Sequence, residues 1–120
     1  MSVAAPFRLA IHGGAGVISR CDLSAEMQAQ YEDALRQALL AGHGVLAAEG
    51  TSLDAVQAAV QSLEDCPLFN AGKGAVFTHD GRVEMDASIM CGRSGQAGGM
   101  LAFSVGAPLV CVFHHRQSLT

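Results

Sequence analysis

Apolar and polar residues recur along the chain with periods that predict two helices after an N-terminal strand. Residues 7–11 form a short apolar run, Phe-Arg-Leu-Ala-Ile, which predicts a buried strand. Between Asp22 and Gly50 the apolar residues recur every three or four positions, which predicts a long helix capped by Asp22 or Ser24. The predicted buried face of this helix consists of Met27, Tyr31, Leu35, Ala38, Leu39, Val45 and Leu46.

A second helix is predicted to begin after Thr51. Thr51 and Asp54 stand three residues apart and resemble a capping box. Pro67 ends this helix, because proline donates no backbone hydrogen bond and disfavours helical geometry in the residue before it. The predicted apolar stripe consists of Leu53, Val56, Val60 and Leu63.

Two further strands are predicted at residues 75–78 and 82–90, separated by Asp80-Gly81, which is a strong hairpin signal. The predicted order is therefore strand, helix, helix, strand, strand, an α/β arrangement. From Met100 onward the apolar residues show no clear period and no cap. Residues 109–113 are the part of this stretch most compatible with one more buried strand.

The composition predicts a single modest domain whose core is built from small side chains. The chain has 120 residues, of which 50% are hydrophobic and 15% are charged, so burial is expected rather than disorder. Aromatic residues make up 5% and tryptophan is absent. Because small side chains bury less area each, we expect the core to be marginal in stability.

Charge and cysteine placement exclude several classes of protein. The net charge is −4 and the basic residues are scattered, which gives no basic stripe for nucleic acid. The sequence contains no apolar run of about 20 residues and no signal-peptide pattern, so no membrane association and a cytoplasmic location are expected. The cysteines (Cys21, Cys66, Cys91 and Cys111) are far apart, and we expect them to be reduced.

The glycine-rich segment at residues 13–16 follows the first predicted strand, where such loops can hold phosphate. A dinucleotide fingerprint would need a third glycine at the position of Ser19, and the predicted helix begins too late. A small nucleotide-binding domain is therefore the weaker alternative. Lys73, between two glycines, is expected to be an ordinary solvated lysine.

Three motifs stand in a fixed order along the chain: Ile-His-Gly-Gly-Ala-Gly at 11–16, Pro-Leu-Phe-Asn-Ala-Gly-Lys-Gly-Ala-Val-Phe-Thr at 67–78, and Glu-Met-Asp-Ala-Ser-Ile-Met at 84–90. With them, residues 8–98 resemble the isoaspartyl peptidase/L-asparaginase family, the plant-type asparaginases. The resemblance implies an N-terminal-nucleophile hydrolase with a layered αββα sandwich. Residues 1–98 would be the N-terminal part of its α-subunit, giving a partial, truncated sandwich. The full enzyme would hydrolyse β-aspartyl dipeptides and asparagine.

The resemblance also implies roles for particular residues. Asn70 would lie beside the nucleophilic threonine, with Gly13, Gly14 and Gly16 as active-site support; from composition alone Asn70 is better interpreted as a turn residue. His12 is expected to be structural. A structural sodium ion, with no other cofactor, would be held by the main-chain carbonyls of Leu63, Glu64, Cys66, Phe69, Ala71 and Lys73.

The nucleophile itself is not found in this sequence. Thr51, Thr78 and Thr120 all lack the Gly-Thr-Val-Gly context in which the family's threonine stands. No catalytic residue is therefore expected in this chain, and we expect it to be inactive alone. The alternative is a non-catalytic α-chain that pairs in trans with a threonine-bearing β-subunit, in an (αβ)2 assembly.

The sequence departs from the family pattern at two places. Cys91 stands where the family has Asp, which is a local change. After Gly98 the similarity and the periodicity end together, so residues 99–120 are predicted to be a divergent segment that arose from a frameshift.

Overall fold

The computed structural model describes residues 6–15, 19 and 21–104, and for 101–104 the backbone alone. The chain divides into two compact units, Met1–Gly74 and Ala75–Thr120, called here the helical unit and the hairpin unit. The helical unit contains helix α1 (Ala25–Ala47), helix α2 (Ser52–Glu64) and a short 3-10 turn (Gly72–Gly74). The hairpin unit contains strands β1 (Glu84–Met90) and β2 (Ala97–Ser104). The described residues thus form a small α+β structure.

Both predicted helices are present, and their N-caps are as the sequence indicates. The Ser24 side chain accepts a hydrogen bond from the Met27 N–H at 3.1 Å. Thr51 Oγ1 accepts from the Asp54 N–H at 3.1 Å and donates to Asp54 Oδ2 at 2.7 Å. These bonds satisfy N–H groups that have no partner within their own helix.

A Schellman motif ends α1. The Gly50 N–H donates to the Val45 carbonyl at 2.8 Å, and the Glu49 N–H donates to the Leu46 carbonyl at 3.1 Å. Glu49 adopts the left-handed conformation that this motif requires, with φ of 61°. Because glutamate carries a Cβ, this position is strained where glycine would be relaxed.

The two helices pack through small residues. Ala38, Gly42, Ala55 and Ala59 are buried. A methyl group placed on Gly42 would lie 2.7 Å from Leu9 Cδ2 and 2.8 Å from the Ala55 carbonyl oxygen. Glycine is therefore required at this contact, because any side chain would push the neighbouring backbone away.

The predicted apolar stripe of α2 is correct at Leu63 and wrong at its valines. Leu63 is buried and Leu53 is half-buried, whereas Val56 and Val60 are 38% and 45% exposed. The helix turns its alanines toward α1 instead, because the close approach at Gly42 leaves room only for small side chains.

The core of the helical unit is a cluster of Ala38, Leu63 and Phe69. Partly buried side chains from the glycine loop, α1 and the segment after α2 pack around it: Ile11, Tyr31, Ala34, Leu35, Cys66 and Leu68. No described side chain larger than alanine is completely buried. This agrees with the expectation of a modest core built from small residues.

The strand predicted at residues 7–11 is not present, since residues 6–15 carry no regular secondary structure. An isolated strand leaves its backbone groups unpaired, so an apolar run becomes a strand only beside a partner. Within the described part of the chain, the pairing recorded is between β1 and β2.

In the hairpin unit, β1 and β2 pair antiparallel, with Met90 opposite Ala97 and Glu84 opposite Ser104. The register shifts between Met85 and Ala87, which marks a β-bulge. Along β1 the exposed and half-buried side chains alternate, and Met85, Ala87 and Ile89 form the half-buried face. The sequence predicted β1 but did not predict β2, which begins in a glycine-rich segment.

The predicted turn at Asp80-Gly81 is present, but its first flanking strand is not. The Thr78 N–H donates to the Arg82 carbonyl at 2.7 Å, and the Gly81 N–H donates to the Thr78 carbonyl at 2.9 Å. Gly81 has φ of 72°, as expected for glycine in a hairpin turn. Residues 75–78 carry no strand, because no described segment continues the pairing beyond Thr78.

The strand predicted at residues 109–113 lies outside the described residues. No helix among those described is both long and apolar enough to cross a membrane.

Candidate functional site

A cleft of about 1120 Å³ opens in the helical unit between three segments of the chain. The first is the glycine loop, which contributes Gly13 and Gly14. The second is the segment after α2, which contributes Phe69 and Asn70. The third is a face of α1 that includes Tyr31. Residues far apart in the sequence are thus collected around one concavity, the usual form of a small-molecule site.

Packing and backbone conformation fix the glycine loop. A methyl group on Gly13 would lie 2.9 Å from Phe69 Cε1 and 3.0 Å from Leu35 Cδ2, so only glycine fits here without displacement. Gly14 has φ of 132°, a conformation that side chains rarely adopt. Gly16 lies outside the described residues.

His12 holds the loop from within. Its Nδ1 accepts a hydrogen bond from the Gly14 N–H at 3.2 Å. This contact supports the structural role expected for His12.

Phe69 anchors the segment that carries Asn70. Its ring is 6% exposed and meets the Tyr31 ring edge-on, with 5.8 Å between centroids. Asn70 follows directly and is exposed on the cleft wall. An amide side chain both donates and accepts hydrogen bonds without titrating, which suits a residue that holds a hydroxyl or polarises a carbonyl.

Behind Asn70 the backbone folds tightly back on itself. The Ala71 N–H donates to the Phe69 carbonyl at 2.8 Å, and the Gly74 N–H donates to the Ala71 carbonyl at 3.1 Å. A methyl group on Gly72 would collide with the Glu64 carbonyl oxygen, and one on Gly74 with the Phe69 carbonyl oxygen. The two glycines therefore let the chain pass directly over these carbonyls.

The six main-chain carbonyls expected to hold sodium all belong to the end of α2 and this folded segment. Leu63, Glu64, Phe69 and Ala71 also line the cleft, whereas Cys66 and Lys73 do not. Four of the six carbonyls accept backbone hydrogen bonds, those of Leu63, Cys66, Phe69 and Ala71, at 3.2, 3.4, 2.8 and 3.1 Å. The Leu63 carbonyl also accepts from the Asp65 N–H. A carbonyl oxygen has two lone pairs, so a carbonyl that accepts one such bond can also bind a cation. Among the described residues, no cluster of His, Cys, Asp and Glu could hold a metal ion through side chains.

Charged side chains were not predicted for this cleft, yet several line it. Glu32 and Arg36 project from α1, and Glu64 from the end of α2. Burial raises the pKa of the Glu64 carboxyl above its usual value, and the charge of Asp65 raises it further. The spacing of Tyr31, Glu32, Leu35 and Arg36 along one helical face is the signal that could have located them.

Lys73 is exposed and forms an ion pair with Asp65, with 2.8 Å between Nζ and Oδ1. Glu84 and Asp86, on the exposed face of β1, belong to the other unit.

The glycine loop does not adjoin a helix N-terminus, since α1 begins only at Ala25. This arrangement argues against the nucleotide-binding alternative.

Cys91 occupies the turn between β1 and β2. Hydrogen bonds from the Ser94 side chain and from the backbone N–H groups of Ser94 and Arg93 lower the pKa of its thiol. The turn therefore favours the thiolate form of Cys91.

Comparison with known proteins gives a consistent result. A family model described as Asparaginase matches residues 5–106. The chain is 47% identical over 96 residues to isoaspartyl peptidases from Salmonella typhimurium and Escherichia coli, covering 80% of this chain and 31% and 30% of theirs. It is 49% identical over 88 residues to a plant-type L-asparaginase from Thermococcus kodakarensis, covering 73% of this chain and 27% of that one. The chain thus spans less than a third of the length of these relatives.

Proposed function

The chain belongs to the asparaginase family, and we propose on this basis that it is the N-terminal part of a threonine-nucleophile amidohydrolase. The complete enzyme would hydrolyse β-aspartyl dipeptides and asparagine, and the support is that its relatives are named isoaspartyl peptidase and plant-type L-asparaginase. The observation that carries the proposal is the shared cleft. Gly13, Gly14 and Asn70, separated by more than half of the described sequence, line one concavity in the helical unit.

In the proposed reaction the threonine hydroxyl attacks the amide carbonyl, and the α-amine of the same threonine takes up the proton and passes it to the leaving nitrogen as the C–N bond breaks. Water then hydrolyses the resulting ester, which releases aspartate and regenerates the threonine hydroxyl. This chain would contribute residues that line the active site, and the nucleophile would come from the second half of the enzyme. The Asn70 amide would orient the hydroxyl, while Gly13, Gly14 and Gly16 let the backbone approach it closely. The full sandwich would be the four-layer αββα fold, with strands of both sheets completed by the second half.

A chimera tests this function. Residues 1–98 would be joined to the matching C-terminal remainder of the Escherichia coli isoaspartyl peptidase, and self-cleavage and release of aspartate from a β-aspartyl dipeptide would be measured. We expect both in the chimera and neither in the isolated chain. Asn70→Ala should lower turnover by about 10²–10³-fold, as for loss of a preorganised polar group. An exposed control, His79→Ala, should not.

A folded chimera without cleavage or turnover would contradict the proposal, as would turnover by the isolated chain. Circular dichroism of each variant checks folding independently of activity. If Asn70→Ala retains full activity, the role of Asn70 is wrong even where the family activity holds.

We also propose that the folded segment after α2 holds a sodium ion through the carbonyls of Leu63, Glu64, Cys66, Phe69, Ala71 and Lys73. The support is the close passage of Gly72 and Gly74 over carbonyl oxygens, together with the preference of hard cations for oxygen ligands. When bound, the ion would fix this segment. Thermal unfolding in sodium, lithium and potassium chloride at equal ionic strength tests this, and equal midpoints would contradict it.

A third proposal concerns assembly. The chain would pair in trans with a threonine-bearing β-subunit, in an (αβ)2 assembly. Large apolar side chains on the helices are exposed, including Leu40 at 59% and Val60 at 45%, and apolar exposure of this kind is typical of a surface that a partner covers. Copurification of the chain with a separately expressed β-chain from a relative would support this. Failure to copurify, with both chains folded, would contradict it.

The origin of residues 99–120 stays a prediction. The family match extends to residue 106, and β2 runs to Ser104. Sequencing the locus tests the frameshift hypothesis, which is wrong if no reading frame contains the family's continuation.

A further inference from the structure

Lys73 is the only lysine in the sequence, and it lies on the segment that carries Asn70. Its ammonium group is 2.8 Å from the carboxylate of Asp65, which is the C-cap of α2. The ion pair therefore joins the first residue after the helix to the 3-10 turn at Gly72–Gly74. Between these ends the chain makes the bend that presents Asn70 to the cleft.

The backbone hydrogen bonds inside this bend are uneven in length. The Phe69 N–H reaches the Cys66 carbonyl only at 3.4 Å, near the limit for a hydrogen bond, whereas the Ala71 bond to Phe69 is 2.8 Å. Phe69 is anchored in the core, but Asn70 and Lys73 are exposed. Core packing therefore holds the half of the bend that contains Phe69. The ion pair and the hydrogen bond from the Gly74 N–H hold the half that contains Lys73.

The charges around the bend also favour the ion pair between Lys73 and Asp65. Glu64 and Asp65 are adjacent carboxylates at the end of α2. The Lys73 ammonium offsets the negative charge of Asp65 at contact distance. Without this cation, the end of α2 would carry two neighbouring carboxylates at the helix terminus that disfavours negative charge.

We propose that Lys73 is a positioning residue, and that its ion pair with Asp65 closes the bend from 65 to 73 and holds Asn70 against the cleft. The side chains of Lys73 and Asp65 are 64% and 73% exposed, so the effect on global stability is small. The effect is local, because the pair ties the two ends of one short loop. The importance of this closure for catalysis rests on the proposed role of Asn70. The closure itself is independent of that role.

Amide exchange in the full chain tests the closure without any activity measurement. In Lys73→Met, we expect the Ala71 and Gly74 amides to exchange about two- to fivefold faster, the range set by an exposed ion pair. Helix amides, such as those of α1, should be unchanged. Lys73→Arg should restore slow exchange, because it keeps the charge and the reach. Arg82→Met, which removes a cation from the hairpin unit, is the matched control.

Asn70 is also the only asparagine in the sequence, so labelling asparagine with ¹⁵N gives a single backbone amide and a single side-chain NH₂ group to follow. Both signals should shift in Lys73→Met and in Asp65→Ala, which removes the carboxylate without adding a second asparagine, and return toward wild type in Lys73→Arg. High salt should reduce the difference between wild type and Lys73→Met, because screening weakens an exposed pair.

Three results would overturn the proposal: unchanged loop exchange in Lys73→Met, an arginine variant that behaves like the methionine variant, or equal acceleration of all amides. An inactive chimera with normal loop closure would instead contradict the proposed function alone.

Discussion

The helical unit and the hairpin unit differ in how their residues are buried. Every described apolar side chain that is buried belongs to the helical unit, namely Ala38, Ala55, Ala59, Leu63 and Phe69. In the hairpin unit the best-covered apolar side chains of β1 are only half-buried, and Phe77 is 74% exposed. The helical unit thus has a core of its own, whereas the two-stranded hairpin relies on backbone pairing, which alone is marginal in water.

Phe69→Ala is expected to show the largest difference between the two units in the stability lost on mutation. Replacing a buried phenylalanine by alanine costs about 3–5 kcal/mol, which is a large share of the stability of a core this small. We expect the far-ultraviolet helical signal to be lost at much lower urea concentration. Phe77→Ala removes the same atoms from an exposed position and should change the unfolding free energy by less than about 0.5 kcal/mol. Similar midpoints for the two variants would show that Phe69 is not a core residue.

The helix contact can be tested with a pair of glycines on one helix. Gly42→Ala places a methyl group 2.7 Å from Leu9 Cδ2 and 2.8 Å from the Ala55 oxygen, and such overpacking costs about 1–3 kcal/mol. Gly44 has nothing within 4 Å, so Gly44→Ala should stabilise α1 by up to about 1 kcal/mol through helix propensity. Urea denaturation measures both. Stabilisation by both substitutions would contradict the close contact between α1 and α2.

A turn glycine offers the corresponding test in the hairpin unit. Gly81→Ala forces a side chain into φ of 72°, at a cost of about 1–2 kcal/mol. Faster exchange of the Thr78 and Gly81 amides should result, with no change in α1 and α2. Gly92 has open space around it and no positive φ, so Gly92→Ala is the control and should have little effect. Equal effects of the two variants would contradict the turn conformation.

The smallest expected change in unfolding free energy is an increase, at the end of α1. Glu49→Gly relieves the left-handed strain at the end of α1, worth about 1–2 kcal/mol, and loses about 0.4–1 kcal/mol to unfolded-state entropy. A net stabilisation of the helical unit by about 0.5–1 kcal/mol is expected in urea denaturation. Glu49→Ala keeps a Cβ and should give no such gain.

The helices could be predicted from local sequence signals. The strands could be predicted only in part, because a strand depends on a pairing partner that lies elsewhere in the sequence. Ser24 and Thr51 cap their helices through bonds to residues three positions on, so sequence spacing was enough to find both starts. The apolar run at 7–11 reads as a strand by composition, but a strand requires a paired neighbour. Ala97-Gly98-Gly99 shows no alternation, which is why β2 was not predicted.

The candidate site was only partly predictable for the same reason. Asn70 was identified through its motif, and its place on a cleft wall depends on Phe69 packing against Tyr31. The burial of Ala55 and Ala59 instead of Val56 and Val60 follows from the helix separation, which no hydropathy pattern encodes. The ion pair between Lys73 and Asp65 joins positions whose charges carry no pairing signal outside a regular helix.

The edge-on contact between Tyr31 and Phe69 has a spectroscopic consequence. The sequence has one tyrosine and no tryptophan, so Tyr31 dominates the near-ultraviolet absorption and the intrinsic fluorescence. Its ring touches the residue that precedes Asn70. The native chain therefore contains an optical reporter, without any added label, in direct contact with the segment that forms one wall of the cleft.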